Sequence, residues 1–179
     1  MLRMTLLTPL FFSLLTFLLA GCSAGGSSSP VDTTLDVTVT IPSAITTAAL
    51  PTQGTLKVYI NEQGQTPVEM ALSGNSATYI FTGLPSGLAQ TITSYEVSIV
   101  FESVLYSQAV VVLATASNQI TISSGNNYLA FPDSIIDLNL DDDSDFKNNL
   151  AEVVTGTSPF VPICVVGMVN QLGSCELDI

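Results

Sequence analysis

The 179-residue chain predicts an all-β fold, an antiparallel sandwich of two sheets. Apolar residues recur at every second position over several short runs, the pattern of strands with one buried face. Clusters of Gly, Asn, Ser and Pro separate those runs at the close, even spacing of a sandwich. Only 10% of residues are charged, and long runs of Thr, Ser and Val stand where a helical protein would carry strong helix formers.

In chain order, Leu35, Val37, Val39 and Ile41 alternate with Asp36, Thr38 and Thr40, a half-buried strand ended by Pro42. Leu56, Val58 and Ile60 against Lys57, Tyr59 and Asn61 predict a second strand. A turn at 62–66, with Gly64, leads into a third run at 68–72 that antiparallel pairing would place beside the second. Ser73, Gly74, Asn75 and Ser76 then turn the chain into Ala77, Tyr79 and Phe81. Two long strands are expected at 93–102, with Tyr95, Val97, Ile99 and Phe101 inward, and at 104–115, where the run AVVVLATA marks the centre of a sheet. Short strands at 119–122 and 128–131 complete seven or eight. The segment YIFTGLPSG resembles a strand and turn of transthyretin-like or carboxypeptidase-regulatory-like sandwiches, and the spacing as a whole resembles an immunoglobulin-like sandwich over residues 33–138. Tyr79, Phe81, Tyr95, Phe101, Tyr106, Tyr128 and Phe131 are expected to fill its core.

Charge and composition exclude several functions. The net charge is −12, and the only basic residues are Arg3, Lys57 and Lys147, so no basic patch for nucleic acid can be assembled. Histidine is absent, which removes imidazole acid–base chemistry and Ser-His-Asp or Cys-His nucleophiles. An enzyme built on this chain would rest on carboxylates, and Glu69, Glu96 and Glu102 are scattered on strands at solvent-facing positions.

Residues 1–21 have the form of a signal peptide, with Arg3 ahead of an apolar stretch and small residues Ala20 and Gly21 at its end. Leu19-Ala20-Gly21-Cys22 resembles the lipobox of bacterial lipoproteins. That resemblance implies cleavage before Cys22, diacylglycerol on its sulfur and acylation, such as palmitate, of the freed amine. Two or three acyl chains make such an anchor essentially permanent. Ser23, where Asp would retain the protein at the inner membrane, implies the cell outer membrane. The Gly- and Ser-rich stretch within 22–32 is a flexible tether.

Residues 139–159 hold an acidic segment. With Asp141 as position 1, acids fall at positions 1, 3, 5 and 12: Asp141, Asp143, Asp145 and Glu152. Lys147 would add its backbone carbonyl and Asn149 the ninth position, an all-oxygen set that suits calcium. DDDSDFKNNLAEVVTGTSP resembles a thrombospondin type 3-like, or half-EF-hand, repeat, which implies a calcium loop followed by a short helix stopped by Gly156 and Pro159. The repeat has Gly at position 6 and this chain has Phe146, so a left-handed turn there would cost roughly 1–2 kcal/mol. The expected dissociation constant is on the order of 10⁻⁴ to 10⁻³ M. The alternating residues at 135–140 predict a strand entering the loop in place of a helix.

In the tail, residues 160–179, Cys164 and Cys175 are expected to form a disulfide in an oxidising periplasm, contributing on the order of 3 kcal/mol. The sequence thus predicts a membrane-anchored, extracytoplasmic, non-enzymatic β module stabilised by calcium. Its expected role is binding or supporting the cell envelope through a protein or polysaccharide partner. The alternatives are a carboxylate-dependent glycan-active enzyme and an accessory subunit of an envelope assembly.

Overall fold

The computed structural model describes residues 32–85, 92–106 and 110–161. Cys22, Cys164 and Cys175, with the expected signal peptide, most of the expected tether and most of the tail, lie outside these residues.

The strands are β1 (Thr34–Thr40), β2 (Gly54–Glu62), β3 (Val68–Glu69), β4 (Ala71–Ser73), β5 (Ser76–Phe81), β6 (Ile92–Ser103), β7 (Val110–Thr121) and β8 (Asn126–Phe131). They form two four-stranded sheets, ordered β4-β5-β1-β8 and β3-β2-β6-β7, packed as a sandwich. The period-two alternation explains the core directly: Leu35, Val37 and Val39 of β1 meet Val58 and Ile60 of β2, Tyr95, Val97, Ile99 and Phe101 of β6, and Val111 and Leu113 of β7 in one buried cluster. Every ladder is antiparallel except β1 on β8, which is parallel. After β7 the chain crosses to the other sheet through a turn that the buried Asn127 organises, its amide donating to Thr34 O and Ser123 O at 2.9 and 2.8 Å.

Several sequence expectations change. The run at 68–72 is divided: Met70 is buried between the sheets, with its N–H bonded to Val58 O at 2.8 Å, so β3 stays with β2 while β4 joins β5 in the other sheet. The strand expected at 104–115 starts at Val110, and it absorbs the separate strand expected at 119–122. Pairing with β6 runs from Ile92↔Thr121 to Glu102↔Val110, and polar residues 117 and 119 face polar partners, Glu96 and Ser94, Gln119 Nε2 donating to Ser94 Oγ at 3.0 Å. Val104 and Leu105 lie in an exposed turn after β6. A bulge between Ile99 and Val100 lets Ile99, Val100 and Phe101 all be buried. Tyr128 is 70% exposed, because the inward parity of β8 belongs to Asn127, Leu129 and Phe131. Residues 135–140 are not a strand; a 3-10 turn (Asp133–Ile135) is followed by a single bridge, Thr115↔Asp137. The short helix α1 (Ser43–Thr46), unforeseen, follows Pro42 and buries Ile45.

The second helix, α2 (Asn149–Thr155), has seven residues. Asn148 caps it, its side chain accepting from Ala151 N at 2.8 Å, and Gly156 ends it at φ 80°. Leu150 and Val153 join the core cluster and Phe160 packs against it, so the acidic segment is built into the sandwich.

Candidate cation site

The loop before α2 winds its backbone around one carboxylate. Asp141 Oδ1 accepts from Ser144 N at 2.8 Å and Asp145 N at 3.2 Å, and Asp141 Oδ2 accepts from Phe146 N at 2.9 Å. Asp143 Oδ1 accepts from Asp145 N at 3.2 Å, and Asp145 Oδ1 from Lys147 N at 2.8 Å. These bonds turn the chain so tightly that Ser144 and Phe146 take positive φ, 63° and 77°. Phe146 thus adopts the left-handed conformation at the position where the repeat carries glycine, and its ring is 89% exposed.

This winding brings one oxygen each of Asp141, Asp143 and Asp145 within 4.8 Å of one another. Glu152 lies outside that group of three, but the charges of Asp143, Asp145 and Asp141 all act on its carboxyl. On α2 it shares the buried face of Asn149, Leu150 and Val153, it is 0% exposed, and neither carboxylate oxygen has a hydrogen-bond partner among the described residues. Asp143 Oδ2 is likewise buried and unpartnered. Burial, then the neighbouring charges of Asp143 and Asp145, pushes the Glu152 carboxyl up to about 8. Burial and Asp145 push Asp143 up to about 6. A buried carboxylate without a partner is costly, and the three clustered aspartates offer only oxygen, the donor a hard divalent cation takes.

The remaining predicted ligands are placed as follows. The Lys147 side chain donates from Nζ to Thr157 Oγ1 at 3.3 Å, and its charge acts on the Glu152 carboxyl. Asn149 is buried with both ends of its amide engaged: Oδ1 accepts from Asp142 N at 3.0 Å, and Nδ2 donates to Val112 O of β7 at 2.8 Å. Its side chain therefore joins the loop to a strand. Spacing alone ranks Asn149 with the acids, and only the tertiary contact with β7 separates them.

The strand glutamates Glu69, Glu96 and Glu102 fall in two places on the outer face of the second sheet. Glu102 accepts from Tyr59 Oη at 2.8 Å and pairs with Lys57 at 2.9 Å, and Glu69 pairs with the same lysine at 3.2 Å. Hydrogen bonds from Lys57 and Tyr59 hold the Glu102 carboxyl below the usual range, and its two partners hold Lys57 charged. Glu96 instead lines an open polar groove of about 480 Å³ with Ser98, Thr115, Ser117 and Asp137. The groove was not legible in the sequence, because Asp137 comes from the segment that crosses the edge of β7. No family model matches the chain, and no curated protein matches it.

Proposed function

We propose that this protein is a lipid-anchored, extracytoplasmic β module whose sandwich is completed by one calcium ion, acting without catalysis in binding or supporting the cell envelope. The observation that carries the calcium reading is Glu152, fully buried with both oxygens unpartnered beside the three clustered aspartates. Asp141, Asp143, Asp145 and Glu152 would hold the ion, with the Lys147 carbonyl. A bound ion would add to the single positive charge that Lys147 brings to these carboxylates. The chain's own residues do the rest: the backbone N–H groups of 144–147 orient the aspartates, and α2 carries Glu152 on the face that Leu150 and Val153 hold against the core.

Anchoring in this reading rests on lipid at Cys22 and the outer-membrane sorting implied by Ser23; among the described residues no helix is long and apolar enough to cross a membrane. The open polar groove offers hydroxyl and carboxylate groups to a polysaccharide. Glu96 and Asp137 on that one groove also favour a second reading, a carboxylate-dependent glycan-active enzyme; turnover of envelope glycan by the wild type, lost in Glu96→Gln and Asp137→Asn, would establish it.

The deciding experiment is calorimetric titration of calcium into the full-length chain in detergent, with Asp141→Ala/Glu152→Ala as control. Binding at roughly millimolar or tighter, lost in the control, supports the reading; no heat in the wild type removes it.

A further inference from the structure

We infer that the cation loop is the fastener of a strap that covers the open edge of β7, with Asn149 coupling the loop to that edge. The inference rests on the calcium reading above.

Among the described residues β7 ends its sheet, and the outer backbone groups of the strand have no neighbouring strand. The segment after β8 stands on that edge with two feet. Asp137 exchanges two backbone bonds with Thr115, Thr115 N to Asp137 O at 3.1 Å and Asp137 N to Thr115 O at 2.8 Å. Three residues back along the strand, Asn149 Nδ2 bonds Val112 O at 2.8 Å. Between the feet the chain leaves the sheet as the acidic loop, and its neck is drawn together by Asn149 N to Leu140 O at 2.7 Å and by Asp142 N to Asn149 Oδ1 at 3.0 Å. Asn149 is thus both one side of the neck and one foot.

Little else holds the span. Between the feet no side chain is fully buried, and Leu138 and Leu140 are half-buried. Ionised Asp141, Asp143 and Asp145 repel one another in the loop, Glu152 adds to this once it ionises, and Lys147 is the one basic side chain there. α2 itself is held by the core through Leu150 and Val153, so the loosely held part of the strap is the loop before it. Balancing the carboxylates therefore tightens the neck, and the neck sets both feet on β7. When the charge is unbalanced, the neck spreads and the outer groups of Val112 and Thr115 are uncovered.

The test is hydrogen exchange on the full-length chain in detergent, with calcium alone or with chelator. At calcium ten times the dissociation constant, exchange is expected to slow by roughly tenfold at Phe146, Ala151 and Glu152, and equally at Thr115 and Asp137, which are not ligands. In Asn149→Ala the loop amides are expected to keep a calcium response while Thr115 and Asp137 lose theirs. Slowing confined to the loop in the wild type overturns the coupling and leaves the calcium site standing. No slowing anywhere overturns both. A full response at Thr115 in Asn149→Ala overturns the role of Asn149, and the wild-type comparison decides the coupling should that variant fail to fold.

Discussion

Glu152 and Phe146 are the residues at which the loop departs from what an ordinary surface turn would tolerate. A carboxyl whose burial raises it to about 8 favours the folded state while protonated. Without a cation, its contribution is complete below the ordinary glutamate range and is lost as pH rises from there through about 8. Melting temperatures measured in chelator should therefore fall between about pH 5 and pH 8.5, and saturating calcium, which binds the ionised ligands, should flatten or reverse that slope. Glu152→Gln should abolish the calcium response and the upper part of the pH slope together. Phe146 holds φ 77° with an exposed ring that gains little from packing. Phe146→Gly should accordingly relieve about 1 kcal/mol of strain and raise the melting temperature by roughly 2–4 °C; an unchanged or lower value would show the left-handed turn to be cost-free here.

Among the elements, α2 and the β2–β6 pair carry the sharpest consequences. α2 is too short to stand on propensity, so its ends matter. Asn148→Ala removes the bond to Ala151 N and should cost about 1 kcal/mol in denaturant unfolding, and Gly156→Ala, at φ 80°, should cost about as much. Both should also weaken calcium binding, since they loosen the element that carries Glu152. In the sheet, Gly54 lies against the Phe101 ring so closely that a Cβ would land on its carbons. Gly54→Ala should cost about 1–3 kcal/mol by displacing a fully buried aromatic, without altering the calcium titration. A matching loss of calcium affinity would mean that the β2–β6 core and the loop are coupled more widely than the β7 edge.

For the molecule as a whole, the loop is an extension of the core, because Leu150 and Val153 belong to the same cluster as the strands. Calcium should then stabilise the whole sandwich: at one hundred times the dissociation constant the gain is about 2.7 kcal/mol, or roughly 5–10 °C in melting temperature. A local effect on the loop with no shift in the global transition would detach the site from the fold.

The chain's alternation determined by itself which residues of β1, β2 and β6 face inward, because period two is a local property of an extended backbone. The same holds for the acidic spacing, for the left-handed demand on Phe146 and for the helix stop at Gly156, all within one turn of chain. The lipid anchor proposed at Cys22 rests on sequence alone. Partner choice was not local. The parallel seat of β8 on β1, the step between sheets at Met70 and the outward turn of Tyr128 depend on strands far away in sequence. So do the two facts on which the site turns. Glu152 becomes a buried, partnerless carboxylate because α2 packs on the core, and Asn149 becomes a foot because β7 presents a free carbonyl at Val112. Spacing can place oxygen atoms around a loop, but only packing decides which of them lose water and which are claimed by a neighbouring strand.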